Sequence, residues 1–143
     1  MILYLDTSAF IKLYVQEPGA DLVRTTTTSA GAVHSHWIAY AEMRAALARL
    51  HRMGRQMAAE YREHKREFEA DWQAISAVMP DERALRRAGE LADRFGLRGY
   101  DSMHLAAAES LLVGRGKDYL HFLSFDRALN EAAKDLGMRL SVD

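Results

Sequence analysis

Four acidic residues in this 143-residue sequence stand at positions where a carboxylate can do chemistry. Asp6 directly follows the apolar run Ile2–Leu5, and Asp126 directly follows the run His121–Phe125. Asp101 opens a helical stretch after the loop Leu97-Arg98-Gly99-Tyr100, and Glu42 interrupts an apolar helix between Ala41 and Met43. In parallel α/β sheets, ligands bind outside the carboxyl ends of the strands, where the strand order reverses. Residues just past a strand or at a helix start lie on that rim. Taken singly, each aspartate reads best as a helix N-cap, accepting an orphaned backbone N–H. Glu42 alone reads equally well as a partner of Arg44 or Arg49. The combination shifts the balance, because clustered carboxylates repel unless a cation or proton compensates. Hard carboxylate oxygens are the usual ligands of magnesium and manganese. The sequence has no cysteine and no paired-histidine spacing, so a carboxylate site for Mg²⁺ or Mn²⁺ is the metal chemistry it supports.

The elements that must position these acids follow from the apolar pattern. Ile2–Leu5 reads as a strand buried on both faces. Helices are expected over 9–15 and 20–28, the second frayed by the β-branched run Thr25–Thr28. A second strand is expected at 32–35. A long helix follows from Trp37, with an apolar stripe of Ile38, Ala41, Ala45, Leu47, Ala48 and Leu50. Gly54 breaks it, and a solvated helix spans 57–72. A strand at 74–79 ends at Pro80, and Asp81 caps a helix running to Phe95, stopped by Gly96. Asp101 begins a helix ended by Gly114 and Gly116. A strand over 121–125, a helix from Asp126 to Leu136 and a strand over 138–142 complete the chain. Strand alternating with helix implies a three-layer α/β/α sandwich around a central, mostly parallel sheet, organised as one domain over 1–143.

Nineteen Lys and Arg against twenty Asp and Glu leave a formal charge of −1, which excludes a uniformly basic nucleic-acid coat but not a local basic patch. Hydrophobic residues are 49% and charged residues 27%, a globular composition. No stretch approaches the roughly 18 apolar residues a membrane span needs. The opening residues carry no basic segment and reach an acid at Asp6, so no signal peptide is read and a cytoplasmic protein is expected.

Several other residues carry two readings. Lys12 shares a helix face with Ser8 and reads first as solvated or acid-paired, second as a phosphate contact. His104, one turn from Asp101, is within reach of a general-acid role, but reads first as a structural histidine. His34 and His36 are too irregularly placed to form a ligand pair. Arg44, Arg49, Arg52 and Arg55 form either a solvated face or a phosphate track. Tyr40, Tyr100 and Phe125 flank three of the acids and can stack a base, with core packing the stronger reading for Phe125.

Four blocks in order carry a resemblance: Leu5-Asp6-Thr7-Ser8-Ala9, Ala41-Glu42-Met43-Arg44-Ala45-Ala46-Leu47, Tyr100-Asp101-Ser102-Met103-His104-Leu105-Ala106-Ala107-Ala108, and Leu123-Ser124-Phe125-Asp126-Arg127-Ala128-Leu129. Together they resemble the signature blocks of PIN-domain ribonucleases, above all the VapC toxins of toxin–antitoxin pairs, over nearly the whole chain. The resemblance implies a PIN-like fold and an endoribonuclease dependent on Mg²⁺ or Mn²⁺. It matches Asp6, Glu42, Asp101 and Asp126 to the family's four acids, as catalytic residues and metal ligands, and Ser8 and Ser124 to small hydroxyl positions beside them. It implies RNA as substrate, a small cognate antitoxin as partner and, with the apolar surface of Ile38, Ala41, Ala45, Ala48 and Leu111–Val113, a homodimer. No membrane partner is implied.

Other classes remain to be weighed. A receiver-like regulatory module presents adjacent acids early and a lysine after its last strands; here the early acid is single and no lysine follows Ser124. A phosphatase built on Asp-x-Asp lacks its second acid in Asp6-Thr7-Ser8. A PIN fold that only binds partners is the alternative the residues leave open.

Overall fold

The structure, a computed structural model, describes residues 1–142. Five strands form one sheet in the order β3-β2-β1-β4-β5. They are β1 (Ile2–Leu5), β2 (Ala32–His36), β3 (Ser76–Val78), β4 (Leu120–Leu123) and β5 (Arg139–Leu140). Every neighbouring pair is parallel, so the sheet expected to be mostly parallel is wholly so. β1 is central, with Ile2 beside both Ala32 and Leu120. All four β1 residues are buried, as a strand covered on both faces requires.

Alternation along β1 divides the interior in two. Ile2 and Tyr4, with Leu120 and Phe122, face Leu91, Leu105, Leu129 and Ala132. Those side chains belong to α5 (Glu82–Phe95), α6 (Gly99–Ser110) and α7 (Arg127–Asp135). Leu3, Leu5 and Leu123 face Phe10, Val23, Met43, Leu47 and Phe68. These come from α1 (Thr7–Phe10), α2 (Ala20–Ser29), α3 (Ala39–Arg52) and α4 (Ala58–Trp72). The result is the expected α/β/α sandwich.

Several expectations are corrected. The first helix starts at Thr7 and passes after Phe10 into a 3₁₀ turn over Ile11–Leu13. The threonine run does not fray α2. Thr28 and Ser29 return their hydroxyls to the carbonyls of Arg24 and Thr25 at 2.8 and 3.1 Å, which keeps the last turn closed. The buried stripe of α3 is Ala39, Met43 and Leu47, while Ala41 and Ala45 are exposed. Alanines populate both faces of that helix, so the apolar pattern alone did not fix its rotation. β4 ends at Leu123 rather than Phe125, because Ser124 leaves the ladder: its hydroxyl accepts from the Asp126 amide at 3.0 Å, closing a turn.

Candidate active site

The strand order reverses at β1: the chain runs outward on one side through β2 and β3, then crosses to the other side of β1 for β4 and β5. The crevice beyond the carboxyl ends of β1 and β4 is therefore where a site is expected. A pocket of about 160 Å³ lies there, lined by Asp6, Thr7, Ser8, Glu42, Arg98, Asp101, His104 and Asp126. All four acids singled out from the sequence line it.

Asp6 is buried and is at once the cap and the floor of the pocket. One carboxylate oxygen accepts from the Ala9 amide at 3.0 Å and the Ser8 hydroxyl at 2.7 Å. The other accepts from the Ser124 hydroxyl at 2.6 Å. Burial raises its pKa above the usual carboxylate value. The Ser124 bond, the charge of His104, the Ser8 bond and the Ala9 amide pull it back without cancelling that effect. Ser8 in turn accepts from the Phe125 amide at 2.9 Å. The two serines thus tie the end of β1 to the turn that follows β4. Asp126 caps α7 through the Leu129 amide at 2.9 Å, so for Asp6 and Asp126 capping and lining the pocket are the same placement.

Asp101 is not a cap. The helix begins two residues earlier at Gly99, and Asp101 lies in its first turn, where the positive end of the helix dipole favours an acid. Its carboxylate accepts from Arg98 Nε at 3.0 Å, and a second Arg98 nitrogen lies 3.8 Å from Asp126.

Glu42 reaches the pocket from the first turn of α3. It accepts from the Thr7 hydroxyl at 2.8 Å and from His104 Nε2 at 2.7 Å. The other nitrogen of His104 lies 3.0 Å from the hydroxyl of Tyr4. Nε2–H donates to Glu42 and Nδ1 meets the Tyr4 hydroxyl, so both ring nitrogens are partnered. Burial and the charges of Asp6 and Glu42 raise the pKa of Tyr4 and keep its hydroxyl protonated. Burial also pushes Glu42 up, but the hydrogen bond and charge of His104, with Thr7 and His36, outweigh it and leave its pKa lowered. His104 therefore bonds side chains rather than nearby backbone, and it holds Glu42 at the pocket.

A second, open cleft of about 600 Å³ shares Thr7 and Glu42 with the pocket and runs along α3 past Arg49, Arg52 and Arg55. Arg44 is not in it; it pairs with Glu69 at 2.8 Å. Lys12 is also occupied, lying 3.3 Å from Glu17 and over the Phe125 ring. Tyr40 packs against Phe68 and Trp72, and Phe125 packs on Gly19. Tyr100 is 60% exposed and remains free to stack.

The donor chemistry fits a hard divalent cation, with four carboxylates drawn to one pocket around an arginine that already brings positive charge there. Among the described residues no three Asp, Glu or His side chains stand together as a ready-made ligand set. Sequence reasoning placed Arg98 in a loop and missed it as part of the site. The signal was its position three residues before Asp101, at a helix start where such pairs meet. Tyr4 was also missed. A tyrosine inside a doubly buried strand needs a partner for its hydroxyl, and that was the available clue.

An all-parallel α/β/α sandwich with acids from four elements around its switch point defines the class of protein this is. The family model of the PIN domain matches residues 3–135, and the chain belongs to that family. Within it the likeness is to VapC proteins: the chain is 34% identical over 140 residues to Ribonuclease VapC45 of Mycobacterium tuberculosis, covering 98% of this chain and 94% of that protein. Among solved structures, FitAcB from Neisseria gonorrhoeae superposes with a TM-score of 0.69 at 19% identity, covering 98% of this chain and 96% of that one. VapBC-5, a member of the VapBC family of toxin–antitoxin systems from M. tuberculosis, superposes with a TM-score of 0.61 at 14% identity, covering 97% and 96%.

Proposed function

We propose that this chain is a divalent-metal-dependent endoribonuclease acting as the toxin of a toxin–antitoxin pair, with Asp6, Glu42, Asp101 and Asp126 as its catalytic and metal-holding residues. The observation that carries the reading is the convergence of these four acids, from the end of β1, α3, α6 and the turn before α7, on one pocket. Mg²⁺ or Mn²⁺ bound there would supply positive charge against the phosphorane-like transition state and acidify the attacking water. Ser8, Ser124 and the Ala9 amide hold Asp6 rigid. His104 and Thr7 hold Glu42 ionised, ready to accept a proton. Arg49, Arg52 and Arg55 line the adjoining cleft and would carry the RNA backbone by phosphate contacts.

The identity to Ribonuclease VapC45 supports RNA as the substrate, and the likeness to VapBC-5 supports an antitoxin as partner. A homodimer belongs to the same reading. No helix among the described residues is long and apolar enough to cross a membrane, which is in keeping with a cytoplasmic site of action. Incubation of purified protein with total RNA in Mg²⁺, Mn²⁺ or EDTA tests the core of it. Cleavage is expected with either metal, abolished by EDTA and by Asp6→Asn or Asp101→Asn. Asparagine suits position 6, since its oxygen keeps the Ala9 cap and its amide donates to Ser124. Folded Asn variants that cleave at the wild-type rate would overturn the catalytic assignment. No cleavage with either metal would leave a PIN fold that only binds partners.

A further inference from the structure

Arg98 is 82% exposed along its side chain, yet its guanidinium turns inward over the acid pocket. The four carboxylates divide by what compensates them. Asp6 is met by two hydroxyls and an amide, and Glu42 by His104 and Thr7. Asp101 and Asp126 come from different elements, and among the described residues the one side-chain cation that pairs with either is Arg98, at 3.0 and 3.8 Å. The planar, permanently charged guanidinium can face two carboxylates at once, which a lysine cannot match.

We propose that Arg98 is a displaceable internal cation: it neutralises Asp101 and Asp126 while the pocket holds no divalent ion, and once displaced it grips a phosphate of the RNA. The inference rests on the proposed metal-dependent ribonuclease activity and adds to it a competition and a substrate contact. The geometry supports displacement over a fixed structural role. Arg98 is the residue before α6 and makes no cap bond, and its exposed side chain is free to swing about its own Cα. One of its partners, Asp126, is the least buried of the four acids, so a cation arriving from solvent meets it first. A guanidinium displaced from carboxylates stays on the pocket rim, where the incoming polyanion is its natural partner.

The consequence is a pair of effects of opposite sign. Removing Arg98 frees two carboxylates for metal and deprives the RNA of a contact. Titration calorimetry with Mn²⁺ on the purified, EDTA-stripped protein, without RNA, reads the first. Arg98→Gln is expected to bind Mn²⁺ about threefold to fivefold more tightly than wild type, the scale of one exposed ion pair. Arg98→Lys, which keeps charge but not the fork, is expected to lie between. Cleavage at saturating Mn²⁺ reads the second, and kcat/KM of Arg98→Gln is expected to fall at least about tenfold, the scale of a charged hydrogen bond. Unchanged or weaker Mn²⁺ binding by Arg98→Gln would overturn the displaceable cation, and full cleavage by that variant would overturn the phosphate contact. A wild-type chain that binds no Mn²⁺ would instead overturn the metal-site reading, and this proposal with it.

Discussion

His36 shows how one ring nitrogen ties stability to pH. The side chain is 3% exposed, and its Nδ1 accepts from the Ile38 amide at 2.9 Å. That bond exists only while Nδ1 carries no proton. Burial first, and the charge of His104 second, hold the pKa down to about 4 against an ordinary 6.5, with Glu42 pulling weakly the other way. The unfolded chain therefore binds a proton more readily than the fold between these values. The stabilisation is complete above pH 6.5 and is lost as pH falls toward 4. Between pH 7 and pH 5 this group alone removes about 2 kcal/mol. Urea melts at the two pH values check this. His36→Asn keeps an acceptor in the Nδ1 position without a titrating ring, and its loss on acidification is expected to be smaller by about that amount. An equal loss in both proteins would remove His36 from the account.

Two glycines show that an element's tolerance depends on its surroundings. Gly19 opens α2 with φ of +89°, and a Cβ there would clash with the Phe125 ring at Cε1. Gly19→Ala is expected to cost at least about 1–2 kcal/mol from the left-handed conformation alone. It also pushes the ring next to Asp126, so cleavage should fall with stability. Gly89 lies within α5, has no positive φ and no atom within 4 Å of a built Cβ. Gly89→Ala is expected to stabilise by about 0.5–1 kcal/mol. Thermal melts of both variants read opposite signs. At the same scale, the α3 arginines are expected to act on binding rather than chemistry. Arg49→Ala with Arg52→Ala should raise KM with little change in kcat. It should also flatten the log–log salt dependence of RNA binding by about 0.7 per lost phosphate contact. A fall confined to kcat would place these side chains elsewhere in the mechanism.

At the scale of the whole molecule, the pocket joins both halves of the sandwich. Asp6 and Asp126 follow the neighbouring strands β1 and β4, Glu42 belongs to the helical layer on one face and Asp101 to the layer on the other. A cation bound by the folded site is expected to stabilise the fold as a unit, by about 2.7 kcal/mol at 100 times its dissociation constant. The raised Asp6 adds a pH dependence. A carboxyl that holds its proton more tightly in the fold than in the unfolded chain costs stability as pH rises through that range, and metal relieves the cost by replacing the proton. The Mn²⁺-induced rise in melting temperature is therefore expected to be larger at pH 8 than at pH 5. Equal shifts at both, or none at pH 8, would show that these acids do not share one site.

What the sequence determined by itself was local. The apolar run Ile2–Leu5 read as a doubly covered strand, and Asp81 and Gly96 bounded α5 correctly, because caps and hydrogen-bonded turns involve neighbours a few residues apart. That Asp6 and Asp126 lie at the sheet rim was also legible, since a carboxylate beside a strand end is visible without a fold. Tertiary structure alone decided which face of α3 is buried, that Asp101 lies within its helix, and that Arg98 reaches two acids at once. It alone set the chain from Tyr4 through His104 to Glu42, which joins side chains 100 and 62 positions apart. The reason is geometric. A hydrogen bond is made or lost within a few tenths of an ångström, and across such separations that distance is set by how the helices pack on the sheet, which no local pattern encodes.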